Sequence, residues 1–277
     1  MPFHLVSYAT AKYRHRQFFL AASAKANRIV ATATSWNPQK LIAAGFADLA
    51  PDISLTERGS GFWAWKPFII LSTLESVAEG DTVLYCDAGR KYPYLLLDTP
   101  LDSFVSWMDE NGQDIMPGIS IPWNGPMSMW TKREVFAATG TDDSAIRNAA
   151  PIQGSFSLWR NCAATKVFVA EWLSLCVQRR LVSDDPGESA ESAEFKAHRH
   201  DQSLLNLCCL KHHVYGIDIG SNEPSYNERD PSHILKHLLA TDARVTPIGK
   251  TLDLAAKALQ LVEQALRKRI TFGEKYE

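Results

Sequence analysis

The stretch Gly59–Gly89, GSGFWAWKPFIILSTLESVAEGDTVLYCDAG, decides how the chain folds. Pro67 suits a first helical turn, and Phe68, Leu71, Leu74 and Val77 approximate a helical stripe, which predicts a helix running to Gly80. TVLYC, residues 82–86, is then a short apolar run of the kind a buried strand presents. It ends abruptly on Asp87, Ala88 and Gly89. Ligands of open parallel sheets bind beyond the carboxyl ends of the strands. A carboxylate placed there is a hard oxygen donor suited to Mg²⁺ or Mn²⁺, and two very small neighbours let a ligand come close. The ordinary structural reading is a turn begun by Asp87, with Gly89 supplying a positive φ.

The same alternation extends outward. FHLVSYA reads as a strand, HRQFFLAASAKAN as a helix and RIVATATSW as a strand. In DTPLDSFVSWMDENG, Thr99 is a candidate cap, Pro100 starts a helix and Gly112 lies just past its end. Thr131 to Glu134 fits a capping box, and ATKVFVAEWLSLCVQRR is strongly helical. Short strands alternating with helices predict an α/β domain with a mostly parallel central sheet flanked by helices. The main domain is assigned to residues 1–240 and a C-terminal helical appendage to 241–277. The polar stretch SDDPGESAESAEFKAHRH, from Ser183, reads as a mobile surface loop. LDLAAKALQLVEQALRKRI is amphipathic with a basic end, which suits packing on the domain or contact with a membrane surface or second copy.

Composition sets limits. The 277 residues carry 22% charged side chains and a net charge of −2, which gives no electrostatic case for nucleic acid. The N-terminal residues lack a secretory pattern, and no run approaches the ~20 apolar residues that span a bilayer. A cytoplasmic protein is expected, with peripheral contact at the inner membrane face left open. Five cysteines, Cys86, Cys162, Cys176, Cys208 and Cys209, match no paired zinc spacing and read as buried thiols.

GFWAWKPFIILSTLESVAEGDTVLYCDAG resembles the segment of GT-A-type glycosyltransferases in which a helix precedes a strand ending in an Asp-X-Asp or related motif. Two further pieces match in order. PIQGSFSLWRN resembles the strand those enzymes place near sugar and acceptor, and HRHDQSLLNLCCLKH resembles the Asp-Gln helix start of family 8 and related retaining enzymes. Together they span roughly Phe3 to Gly216. The resemblance implies a GT-A-like fold and transfer of a hexose-type sugar from a nucleotide diphosphate sugar, UDP-linked by preference, to a glycan or glycolipid hydroxyl. Bacterial surface glycan synthesis, such as lipopolysaccharide or capsule, is the implied setting.

On this resemblance Asp87, Ala88 and Gly89 border the donor diphosphate, with Asp87 holding a divalent cation, Mn²⁺ or Mg²⁺. Position 89 is Gly where an Asp-X-Asp motif has its second carboxylate, so the second ligand must come from elsewhere, and His233 leads among His212, His213, His233 and His237. Ser7 and Tyr8 fall where the nucleotide base and ribose bind. Gln153 and Gly154 border the sugar, while Asp201 and Gln202 face its hydroxyls or anomeric carbon and favour retention. Asn206 lies one turn along from Gln202. Arg58 and Lys66 can meet phosphate, and Trp63 and Trp65 can shape the sugar pocket or pack in the core. For an inverting reaction, Asp201, Glu194 and the pair Asp184 and Asp185 are alternative bases. Two other functions fit less well. A sugar nucleotidyltransferase needs a Gly-rich basic loop that SYATAKYRHR lacks, and a non-catalytic nucleotide- or carbohydrate-binding module would bind a donor without transferring its sugar.

Overall fold

The computed structural model describes residues 1–26, 28–88, 101–187 and 190–220, with positions 251, 255 and 258, which are helical. The chain runs through β1 (Phe3–Tyr8), α1 (Arg14–Ala26), β2 (Thr32–Trp36), α2 (Trp65–Ser76), β3 (Thr82–Cys86) and α3 (Leu101–Glu110). It continues through β4 (Ile115–Met116), β5 (Ile119–Ser120), β6 (Ile152–Gln153), β7 (Phe156–Arg160), α4 (Ala163–Cys176) and α5 (Asp201–Lys211). The main sheet has the order β2-β1-β3-β7-β4. β1 pairs in parallel with both β2 and β3, whereas β7 is antiparallel to β3 and to β4. Four strands therefore point one way and β7 alone is reversed. The expected α/β fold with a mostly parallel sheet is what forms.

Strand alternation explains the unbroken apolar runs. Val6, Tyr8, Val83, Tyr85 and Trp159 face one side, where they pack with Ile69, Ile70 and Leu74 of α2, Trp172 of α4 and Leu204 of α5. Leu5, Leu84, Cys86, Phe156 and Leu158 face the other, against Leu20 of α1 and Phe104 and Met108 of α3. With both faces covered, neither side of β1 or β3 can be polar. Cys86, Cys176, Cys208 and Cys209 are buried free thiols, and Cys162 caps α4 by accepting from Thr165 N.

Several boundaries differ from the sequence reading. α2 stops at Ser76 rather than Gly80, because Asn161 Nδ2 donates to the carbonyls of Val77 and Ala78, both at 2.9 Å, and holds Val77 extended. The capping box at Thr131 does not form. Glu134 instead pairs with Lys132 Nζ at 3.2 Å, and the helix Arg133–Ala138 begins without a side-chain cap. PIQGSFSLWRN is two strands, β6 and β7, in different sheets, with Gly154 and Ser155 turning between them. The polar stretch from Ser183 is tied down in its described part: Lys132 Nζ donates to Asp185 O, and Lys196 N and Arg199 N donate to the carbonyls of Met129 and Trp130. Thr99, Pro100 and all of the amphipathic C-terminal stretch except positions 255 and 258 lie outside the described residues. None of the helices among the described residues is long and apolar enough to cross a membrane.

Asn206, buried in α5, fixes β6 by reading its backbone like a neighbouring strand. Its Nδ2 donates to Ile152 O at 3.0 Å and its Oδ1 accepts from Ile152 N. Its place one turn from Gln202 thus serves the backbone. Asn206→Ala should lower stability by about 1–3 kcal/mol, the usual cost of stranding a buried polar group. A urea denaturation midpoint indistinguishable from the wild type would contradict this role.

Candidate functional site

A cleft of about 380 Å³ opens at the carboxyl ends of β1 and β3. Of the expected site residues, Tyr8, Arg58, Trp65, Lys66, Asp87, Ala88, Gln153, Gly154, Asp201 and Gln202 all line it. They reach it from five parts of the chain: the end of β1, the segment from Arg58 to the start of α2, the end of β3, the β6–β7 turn and the start of α5.

Its floor is a buried ion pair. Lys66 Nζ sits 2.7 Å from Asp201 Oδ2 with both side chains almost wholly enclosed. The geometry is that of an ionic contact rather than a well-directed hydrogen bond, and Oδ2 has no other polar partner among the described residues. Lys66 Nζ also donates to Gly154 O at 3.2 Å and lies 5.2 Å from the Tyr85 ring. Burial opposes the charge on Lys66, but Asp201 and Asp87 more than offset it, and its pKa is raised. Burial pushes the Asp201 carboxyl up to about 6 against the pull of Lys66. At neutral pH the pair is therefore ionised on both sides.

Beside it, Asp87 is half-buried, its N–H donating to Ser155 O at 2.9 Å and its Oδ1 accepting from the Tyr85 hydroxyl. Burial, reinforced by Asp87, raises the Tyr85 hydroxyl well above its ordinary range, so it remains a donor. Gln202 Nε2 donates to Ile152 O at 2.9 Å. α5 begins at Asp201, so Asp201 is inside the helix, and the cap position belongs to His200.

The wall opposite β3 in sequence is a backbone rarity. Gly59, Ser60, Gly61, Phe62 and Trp63 all have left-handed φ, from 56° to 86°. Such a conformation costs roughly 1–2 kcal/mol at each non-glycine residue, and strain of this kind concentrates at functional sites. A Cβ at position 59 would meet the Trp63 ring at 2.4 Å. The turn is held from several sides. The Tyr8 hydroxyl lies 2.7 Å from Ser60 Oγ, which donates to Leu55 O, and Trp65 Nε1 donates to Gly59 O. Arg179 binds Glu57 and Asp52 O and lies 5.6 Å over Phe62. Tyr8 in turn stacks on Trp65, centroids 3.9 Å apart.

Other expectations resolve differently. Ser7 does not line the cleft, because strand alternation turns it toward α1, where Gln17 Nε2 donates to it at 3.3 Å. His212 pairs with Glu171 at 2.6 Å at the far end of α5, and neither it nor His213 reaches the cleft. Glu194 is exposed and Asp185 is bound by Arg179, both outside the lining, whereas Asp184 stands 3.5 Å from Arg58. Gly89, His233 and His237 lie outside the described residues. The lining also includes Thr10, Tyr13, Ser60, Ser155, Arg199 and His200, of which the motifs gave no sign; the doubled glycine of GSG was the one available hint of the left-handed turn.

Among the described residues no set of side chains is arranged to hold a resident divalent cation, and His233, the expected second ligand, lies outside them. Asp87 offers one carboxylate, partly used by Tyr85, and Asp201 is committed to Lys66. Among the described residues no three His, Cys, Asp or Glu side chains gather as a metal site. A single carboxylate does suit Mg²⁺ or Mn²⁺ arriving on substrate phosphates with its own water.

No family model and no curated protein matches the chain. A solved structure of the galactosyltransferase LgtC in complex with donor and acceptor sugar analogs is similar over 89% of this chain and 85% of that one, at 13% identity and a TM-score of 0.38.

Lys66→Met should cost about 3–5 kcal/mol by leaving the Asp201 carboxylate buried alone, and adding Asp201→Asn should recover much of it. Additive losses in denaturant unfolding would contradict the pairing. Folding raises the Asp201 pKa from about 4 to about 6. Its stabilising protonation is thus present below about pH 4 and lost as the pH rises to about 6. Asp201→Asn should remove that component of the pH–stability curve.

Proposed function

We propose that the chain is a GT-A-type glycosyltransferase that moves a hexose-type sugar from a nucleotide diphosphate sugar, with UDP favoured, to a hydroxyl on a glycan or glycolipid. The observation that carries this reading is the Lys66–Asp201 pair bonded to Gly154 O beside Asp87, which joins in one cleft the three separate motifs that carry the resemblance.

Each group has a chemical task in this reading. Tyr8, stacked on Trp65 and fixed by Ser60, offers a rigid aromatic edge for the base and ribose. Breaking the glycosyl–phosphate bond builds negative charge on the departing diphosphate and positive charge at the anomeric carbon. Asp201, kept ionised by Lys66, is the carboxylate that stabilises the positive centre. Gly154 lets the sugar approach closely, and the amide oxygen of Gln202 is available to its hydroxyls. Asp87 faces the diphosphate and can share a divalent cation with it, an ion that would supply further charge neutralisation. The ionised Asp201 next to the sugar favours retention. Surface glycan assembly at a membrane face is the proposed setting.

Nucleotide sugars screened by thermal shift, with and without Mn²⁺, should include one that raises the melting temperature, and Asp87→Ala should abolish its turnover. Turnover should fall up to tenfold per pH unit below about 6 as Asp201 takes up a proton. A chain stabilised by no donor, or an Asp87→Ala variant as active as the wild type, would remove the basis for the reading.

A further inference from the structure

His200 is an unusual residue to find at the edge of the cleft. It is buried, at 2% exposure, with a left-handed φ of 54°. Its ring lies against Phe62 and Trp63 of the left-handed turn, centroids 5.4 and 5.5 Å away, and edge-on to His198 at 5.6 Å. Nδ1 is 2.9 Å from Val182 O, and a carbonyl can only accept, so Nδ1 carries the hydrogen. Nε2 of the neutral ring is then a bare lone pair. It is buried and makes no hydrogen bond among the described residues. A buried polar atom in that condition needs an explanation.

The surroundings supply one. Arg58 and Arg199, both exposed, line the same cleft and both act electrostatically on His200. Arg58 lies 6.0 Å over the Trp63 ring and Arg199 4.1 Å over Trp130, so each guanidinium group is braced by an aromatic face. The groups facing the ring are these two arginines, Asp184, whose Oδ1 is 3.6 Å from Nε2, and His198, whose pKa burial lowers to about 3 so that it stays neutral. The next residue, Asp201, is turned to Lys66. Burial and the two arginines lower the His200 pKa, while Val182 O and Asp184 oppose that. The edge of the cleft therefore holds a neutral imidazole in the field of two cations. A dianion brought to that edge reverses the balance, because an adjacent negative charge favours the protonated ring.

We propose that the Arg58–His200–Arg199 edge binds the diphosphate of the donor, and that His200 takes up one proton at Nε2 as the diphosphate binds. This rests on the nucleotide-sugar reading for the identity of the ligand, but the anion site itself is testable without it. The proton comes from solvent, Nε2 changes from a lone-pair acceptor to an N–H group facing Asp184 Oδ1 3.6 Å away, and the charged ring adds to the two arginines that attract the diphosphate.

The test is calorimetry of the full chain in two buffers of different ionisation enthalpy, between about pH 6 and about pH 8, with a chelator present. The probes are UDP-glucose and P,P′-dimethyl diphosphate, whose phosphates do not titrate in that range. Proton uptake should accompany binding, and affinity should rise by up to tenfold for each unit the pH falls. His200→Gln should bind with a flat pH profile. Arg58→Gln, at an exposed position that folding does not depend on, should weaken both probes about tenfold while keeping the pH dependence. Binding of either probe without proton uptake, a His200→Gln variant with the wild-type pH profile, or no binding of either probe would overturn the assignment. If dimethyl diphosphate binds with proton uptake but no nucleotide sugar is turned over, the anion site stands and the glycosyl-transfer reading fails.

Discussion

One buried ion pair organises this molecule. Lys66 belongs to the first turn of α2 and Asp201 to the first turn of α5, and they meet 2.7 Å apart over the Gly154 carbonyl that separates β6 from β7. Neither charge tolerates burial alone, so the contact obliges two helix starts and a strand junction to converge. Trp172 Nε1 of α4 adds a bond to Asp201 O at 3.0 Å, which ties a third helix to the same point. A well-packed apolar pair would hold these elements at least as firmly. A fixed carboxylate at the floor of a cleft is what the apolar alternative would not supply.

The cleft is electrically divided around that floor. Asp201 brings a carboxylate from the α5 start, while Arg58 and Arg199 bring cations to the edge beside His200. A donor with a sugar that becomes positive and a diphosphate that becomes more negative has the matching asymmetry. The left-handed turn Gly59–Trp63 links the halves, since Ser60 meets Tyr8 at one end and Trp63 packs on His200 at the other. Its strain is offset by the bonds that Arg179, Ser60 and Trp65 make around it.

Much of this was legible in the amino-acid sequence, and for identifiable reasons. The apolar run of β3 between turn residues, Pro67 near a helix start and the alternation of short strands with helices are local signals, and a mostly parallel sheet follows from them, though not its order or the reversed β7. Asp87 and Lys66 could be singled out because each sits at the end of such an element, whereas Gln153 with Gly154 and Asp201 with Gln202 stood out through the family resemblance. What local patterns do not carry is partnership. Lys66 read as a phosphate ligand because nothing nearby showed that Asp201, distant in sequence, would claim it. Ser7 read as a site residue until the alternation of β1 turned it to the opposite face. His200 and Arg199 looked like part of a polar loop, since the buried lone pair on His200 exists only after Phe62, Trp63 and Val182 have folded around it.

The most direct test of the central claim is the identity of the product released from a nucleotide sugar, followed by ³¹P nuclear magnetic resonance with a panel of donors and simple glycan acceptors. The account predicts a nucleoside diphosphate from at least one donor with the wild-type chain and its loss both with Asp201→Asn and with the Lys66→Met, Asp201→Asn double variant, in which no buried charge is left alone. Formation of inorganic pyrophosphate, or unchanged release from the Asp201→Asn chain, would contradict it.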